Sequence, residues 1–467
     1  MPDLNLKPHQ ILVLGFLIAI LIGTVLLCTP WAARDGSIDW LTALFTATSA
    51  VCVTGLVVVD TGTHWSLFGQ IVIMLLIQIG GLGIMSFTTF FALLLGKKIQ
   101  LKQRIMMQQA LNKPSLEGVV NIFRYLLLFS FVMEAIGAAI LAVNWAPSMG
   151  MPKAIWYGIF HSISAFNNAG FDVMGDFASL TGFAGDFVTN LVISSLLIIG
   201  GLGFIVLYEI YSYIRKGDTP LSGNVPNKRK GDTPLSGNVP DKRTGRLSVH
   251  TKLVLLTTAA LIVSGTVLIF VSEYNHALSQ MPLADKVMGS YFQAVSPRTA
   301  GFNTIDLNSL FISTQLLIMF LMFVGASPGS TGGGIKTTTF TLLLLAIYSN
   351  LRGKRETELF KRTVETEVVL RALSIALLAL FFVFAVTFLL SITQQADFMK
   401  ILFEVVSALG TVGLSLGLTT ELTDLGRVLI MITMFVGRLG PLTLGYAFIY
   451  QNRQPELKYP STKIMIG

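Results

Sequence analysis

Long apolar stretches alternate with short polar gaps and a recurring glycine turn. Apolar runs near 10–29, 118–143, 250–274 and 367–392 each reach the length of about 20 residues that crosses a bilayer. A shorter segment follows each run, near 39–51, 154–167, 284–297 and 397–410, and reads as a helix of about three turns. Next come a loop carrying one glycine, a polar gap and a second long apolar segment, near 66–95, 186–214, 310–348 and 424–449. The order span, short helix, glycine loop, span thus occurs four times. The pattern predicts an all-α polytopic membrane protein with eight transmembrane helices and four re-entrant half-crossings.

The four loops align. They read Ala50-Val51-Cys52-Val53-Thr54-Gly55-Leu56, Ala165-Phe166-Asn167-Asn168-Ala169-Gly170-Phe171, Val295-Ser296-Pro297-Arg298-Thr299-Ala300-Gly301-Phe302 and Ala408-Leu409-Gly410-Thr411-Val412-Gly413-Leu414. A second glycine follows each, at Gly80, Gly200, Gly325 and Gly437, offset by 25, 30, 24 and 24 residues. Four matches in order at near-constant offset indicate an internal fourfold repeat. Backbone that is neither helix nor sheet is tolerated at membrane depth only inside protein or facing water. Four such loops can converge on a pseudo-fourfold axis, where carbonyl oxygens replace the water shell of a monovalent cation. The expected filter is Val53, Thr54 and Gly55, with Asn168, Ala169 and Gly170, then Thr299, Ala300 and Gly301, then Thr411, Val412 and Gly413. Glycine suits a backbone at φ > 0 or a crowded axis; the competing explanation is close helix packing. One glycine per loop predicts weaker discrimination than a filter with two. The C-terminal ends of the short helices, aimed at the cavity, favour cations. Asp60, Asp172, Asp306 and Glu421 follow the glycines on the outer side and either concentrate cations there or are a solvated loop face.

The second span of repeat three is interrupted. After Phe323 the chain runs Val324-Gly325-Ala326-Ser327-Pro328-Gly329-Ser330-Thr331-Gly332-Gly333-Gly334-Ile335-Lys336, which cannot continue a helix. Both flanks are apolar, so the break lies within the membrane, below the filter. It is the candidate gate, with Gly325, Ser327, Gly329, Ser330, Thr331, Gly332, Gly333, Gly334 and Lys336 as its residues; a packing kink is the alternative. A phosphate-binding loop needs lysine directly after its last glycine, and Ile335 intervenes. Arg438 lies mid-span in repeat four, where an arginine costs about 2.5–3.5 kcal/mol on insertion scales and must face protein or water. It is expected to hold the repeat-three loop closed and repel cations, unless it snorkels to the cytoplasmic interface. Lys336 is a second contact or an inner-end anchor.

Composition agrees with a membrane protein: of 467 residues 53% are hydrophobic and 12% charged, against about 25% charged in soluble proteins. Cys28 and Cys52 give no disulfide framework. The net charge of +8 is a matter of distribution and not of nucleic acid. The connectors between repeats hold 20 of the 33 lysines and arginines, so by the positive-inside rule they, and both termini, are cytoplasmic. Residues 216–229 recur almost unchanged at 230–243, with Asn227 replaced by Asp241. Rich in Gly, Pro, Asn and Lys, this duplication cannot bury a core; it is a regulatory site or a tolerated insertion in a flexible loop. The expected division is a first pore unit at 1–96, a second at 97–215, a flexible cytoplasmic loop at 216–246, a third unit at 247–351 with its gating loop at 325–336, and a fourth unit with C-terminal tail at 352–467. Five scattered histidines and the absence of a nucleophile–base motif argue against an enzyme. Repeats running parallel argue against the inverted repeats of many carriers.

Thr54-Gly55-Leu56, Asn167-Asn168-Ala169-Gly170-Phe171 and Pro297-Arg298-Thr299-Ala300-Gly301-Phe302 resemble the membrane subunits of the Trk/Ktr/HKT potassium transporter superfamily over nearly the whole chain. The short N-terminus and eight spans are similar to the bacterial Ktr type. The resemblance implies four M1–P–M2 units around a potassium pore, with potassium at the filter carbonyls as substrate and the interrupted span as intramembrane gate. It also implies a homodimer in the plasma membrane (the bacterial inner membrane). A cytosolic RCK/KTN-type ring would carry the nucleotide, leaving no cofactor in this chain. Glycine in all four loops fits potassium conduction; a sodium-coupled or sodium-conducting transporter of the same architecture is the alternative.

Overall fold

The computed structural model describes residues 8–36, 39–83, 119–214, 247–354 and 356–440. The basic connector at 97–113, the duplicated loop within 215–246 and the tail from 441 lie outside the described residues. The first unit comprises α1 (Pro8–Leu27), α2 (Trp40–Val51) and α3 (Leu67–Leu82). The second comprises α4 (Val119–Met149), α5 (Met151–Phe166), α6 (Phe187–Leu202) and α7 (Phe204–Ile214). The third comprises α8 (Val249–Glu273), α9 (Leu283–Val295), α10 (Ile312–Phe323) and α11 (Thr337–Leu351). A hairpin of β1 (Thr357–Leu359) and β2 (Arg362–Val364) leads to the fourth unit, α12 (Thr366–Thr393), α13 (Phe398–Gly410) and α14 (Asp424–Leu439).

Local chemistry explains where the helices begin. Side-chain oxygens of Asp39, Ser66, Asp186, Ser248 and Thr423 accept from backbone N–H groups in the first turns of α2, α3, α6, α8 and α14, satisfying donors that have no partner within the helix. The layering follows burial. α1, α4, α8 and α12 lie outside, and Val25, Val143, Val271 and Phe384 on them are 68–71% exposed. A belt of exposed apolar side chains of this extent has lipid as its solvent. The short helices α2, α5, α9 and α13 lie inside, with half or more of their residues buried. Each second helix packs on the short helix of the next unit: α3 on α5, α6 on α9, α10 on α13 and α14 on α2. The last contact closes the ring.

The second helices depart from expectation. In each of the segments 66–95, 186–214 and 424–449 the described helix stops at a glycine. α3 stops at Gly83, α6 at Gly203 and α14 at Gly440, at φ of 81°, 92° and 83°, a left-handed helix stop that glycine adopts without strain. After Gly203 the chain re-enters a helix, α7, bent by 100° from α6. The three stops lie three residues after Gly80, Gly200 and Gly437. Among the described residues four helices are long and apolar enough to span alone, and α6 with α7 makes a fifth as a bent pair. Unbroken hydropathy across these glycines hid the stops.

Candidate functional site

The four short helices end where the four loops begin, and the loops share one backbone pattern. The residue two before each glycine is left-handed: Val53, Asn168, Thr299 and Thr411 have φ of 56°, 57°, 68° and 50°. Gly55, Gly170, Gly301 and Gly413 follow at 87°, 70°, 82° and 95°. For residues with a side chain this region costs about 1–2 kcal/mol each, so the surroundings must hold it. Serines do part of this. Gly55 N–H donates to Ser49 Oγ and Gly413 N–H to Ser407 Oγ, both at 3.1 Å. Ser164 Oγ donates to the Phe171 carbonyl at 2.7 Å and Ser296 Oγ to that of Phe302. These serines were not among the expected site residues, although three of them stand six positions before their glycine.

The loops meet. A β-carbon on Gly55 would collide with the Ala169 carbonyl oxygen, and one on Gly170 would lie 2.8 Å from that of Ala300. One on Gly301 would collide with the Val412 oxygen, and one on Gly413 with the Thr54 oxygen. Each glycine therefore faces the carbonyl preceding the next glycine, in the order one, two, three, four and back to one. Thr54, Gly55, Ala169, Gly170, Ala300, Gly301, Val412 and Gly413 make these approaches, and the left-handed Val53, Asn168, Thr299 and Thr411 lead into them. The second glycines have a different task. β-Carbons on Gly80, Gly200 and Gly437 would strike the carbonyls of Val51, Phe166 and Leu409, at the ends of the short helices, so these positions allow close helix packing. Gly325 faces Gly333 instead, because α10 has already ended.

The interrupted helix lies against the ring. Val324 and Ile335 pair in parallel at the base of the loop. The loop leans on the stop of α6: Ser327 N–H donates to the Gly201 carbonyl at 3.0 Å, Thr331 N–H to Gly200 at 3.3 Å, and Phe204 N–H to Gly329 at 2.8 Å. Ser330 Oγ closes a turn on the Ser327 carbonyl at 2.6 Å. At the ring side, Gly333 N–H donates to Thr411 Oγ1 at 3.0 Å, a β-carbon on Gly332 would strike Thr299 Oγ1, and Thr331 Oγ1 donates to the Phe166 carbonyl at 3.3 Å. Thr299 Oγ1 also pairs with the Asn168 side chain at 3.1 Å. Gly334 takes φ of 67° beside the bridge.

Two cations fix the arrangement. Arg438 donates to the Thr331 carbonyl and, from its other arm, to the carbonyls of Gly80 and of Gly81, the last at 3.2 Å. It joins three units inside the protein and does not reach toward an interface. Lys336 Nζ donates back to Gly332 and Gly333 at 2.8 and 3.3 Å, so it is tied to its own loop. The outer acids are mostly bound up in loop structure. Asp60 accepts from Thr63 N–H at 2.7 Å and, across the ring, from Phe177 N–H at 2.7 Å. Asp306 accepts from Asn308 N–H at 3.0 Å.

Fold and site together define a multi-pass membrane protein in which four re-entrant loops of one chain close a pseudo-fourfold ring above an interrupted helix. Residues 6–458 match the TrkH family model, described as cation transport protein, and the chain belongs to this family, as a membrane subunit of the Trk/Ktr superfamily. It is 43% identical to the Ktr system potassium uptake protein B of Bacillus subtilis, over 98% of this chain and 97% of that one. Identity to the potassium/sodium uptake protein NtpJ of Enterococcus hirae is 38%, over 99% and 98%. The fold is similar to the crystal structure of the potassium transporter TrkH from Vibrio parahaemolyticus, with a TM-score of 0.72 and 18% identity over 96% of this chain and 86% of that one.

Proposed function

We propose that this chain takes up potassium across the plasma membrane through a gated, channel-like pore, with the loop ring as selectivity filter and residues 325–336 with Arg438 as gate. The closed ring of four loops supports this reading: each loop brings a carbonyl against the next glycine, and carbonyls gathered from four loops can replace a cation's water shell. The names of its relatives support potassium as substrate. The chain divides into four pore units at the boundaries given above, each contributing one quarter of the filter. The uptake-protein names of its relatives support a transporter over an enzyme.

The Bacillus subtilis and Vibrio alginolyticus relatives are named as lettered proteins of a Ktr system, which supports a separate partner. We assign that role to a cytosolic nucleotide-binding ring acting on a homodimer, with both termini inside. A second reading is a sodium-conducting transporter, favoured by the potassium/sodium name of the Enterococcus hirae relative. Rubidium and sodium uptake in cells lacking their own potassium transporters separates the two. The parent should restore growth at low potassium and prefer rubidium. Gly55→Ser, Gly170→Ser, Gly301→Ser and Gly413→Ser, tested singly, should each lower that preference, by about tenfold if the cost matches one left-handed side chain. Unaltered ion preference in all four would remove the filter assignment.

A further inference from the structure

The position three before the filter glycine differs in every repeat: Cys52, Asn167, Arg298 and Gly410. Asn167 is the member tied to a carboxylate. Its Nδ2 donates to Glu134 Oε1 at 3.0 Å and to Gln78 Oε1 at 2.9 Å. Gln78 Nε2 donates in turn to both oxygens of Glu134, at 3.0 and 3.1 Å. Glu134 comes from α4, Gln78 from α3 and Asn167 from the end of α5, so three helices from two units meet behind one filter loop. All three side chains are buried, Glu134 at 4% exposure, Gln78 at 6% and Asn167 at 0%. Ser162 Oγ adds a bond to the Glu134 backbone carbonyl at 2.6 Å. A β-carbon on Gly81 would strike the Asn167 side chain, so the space is filled. Among the described residues no lysine, arginine or histidine pairs with Glu134.

A carboxyl group at this depth is expensive unless its acceptors are used, and here both oxygens receive amide donors. The next residue after Asn167 is Asn168, held left-handed, and Gly170 lies two further on. A shift of the Asn167 side chain would therefore move the backbone that faces Gly301. At the same position in the other three loops, Cys52 and Gly410 offer no amide, and Arg298 reaches a hydroxyl, Thr258 Oγ1, at 3.4 Å. We propose that Glu134 is a positioning residue for ion selectivity, setting the repeat-two filter loop through Asn167 and Gln78. The proposal rests on the filter reading above and deepens it by giving one quarter of the ring its own control.

The test uses the full-length protein in liposomes, with rubidium and sodium uptake measured side by side. Glu134→Gln keeps the size of the side chain but replaces one carboxylate oxygen by an amide donor, which faces the Gln78 amide that donates to both oxygens. It should lower the rubidium-over-sodium preference by about tenfold, the factor that 1.4 kcal/mol represents. Asn167→Ser, which leaves Glu134 paired with Gln78, should lower it comparably, and the double variant should fall no further than the worse single. A residue that only stabilised the fold would reduce the amount of inserted protein and leave the ratio alone. Preference within about twofold of the parent in Glu134→Gln overturns the proposal. So does a double variant whose loss equals the product of the two singles. If Glu134→Gln does not insert, parental preference in Asn167→Ser overturns it equally. A parent that prefers neither ion would refute the potassium reading itself, an outcome distinct from either.

Discussion

Arg438 shows best how a single side chain is bound to its place. Its guanidinium reaches carbonyls on the gate loop and on the end of α3, in a setting where an unpartnered charge could not remain. Hydrogen bonds to charged groups contribute about 1.5–3 kcal/mol each, enough to bias a mobile loop toward one position. Arg438→Ala should therefore raise uptake in the absence of any cytosolic partner by about tenfold or more, measured as initial rubidium flux per inserted protein. Unchanged flux would show that the loop's bonds to Phe166, Gly200, Gly201, Phe204 and Thr411 hold it without the arginine. Residue chemistry of this kind was legible in the sequence because a mid-span arginine has few permitted environments. The serines and the Glu134 brace were not, since a hydroxyl or an amide in an apolar helix has many local partners and only the fold selects among them.

At the scale of elements, the four long first helices and four short helices were readable within a few residues, because length, hydropathy and caps agree. The glycine stops of the second helices were not. A lone glycine inside an apolar run does not announce the left-handed turns at Gly83, Gly203 and Gly440, and the one at Gly203 packs on the Pro328 carbonyl, a contact remote in sequence. The break after Phe323 was legible because proline and clustered glycines exclude helix on their own. Gly203 is the turn on which the gate loop rests: it holds φ of 92°, and a β-carbon there would lie 2.5 Å from the Pro328 carbonyl. Gly203→Ala should cost about 1–2 kcal/mol from the backbone alone and push the gate loop off α6. Thermal unfolding of the detergent-solubilised variant should shift downward while its basal flux rises. A lower unfolding temperature with parental flux would separate the bend from the gate.

At the scale of the molecule, the repeat fixes the architecture: second helix on next short helix, four times, with the last closing on the first. The sequence carried this as four glycine loops in order, and the ring contacts realise it through carbonyl-to-glycine approaches that no pattern of hydropathy contains. The proposed orientation rests on charge. The exposed Lys361 in the hairpin turn before α12 belongs to a basic connector, and Gly182 lies in a loop after the second filter segment. The proposed orientation, connectors inside, predicts that Gly182→Cys should react with a membrane-impermeant maleimide added to intact cells, and Lys361→Cys only after permeabilisation. The reverse pattern would invert the pore.

The central claim is that the ion path runs through the ring made by 53–55, 168–170, 299–301 and 411–413. Its most direct test is an experimental density map of the full-length protein in rubidium, compared with one in sodium. The account predicts rubidium density on the axis, surrounded by carbonyls from all four loops and diminished in sodium. Loops that stand apart, or rubidium bound away from them with an empty axis, would contradict it.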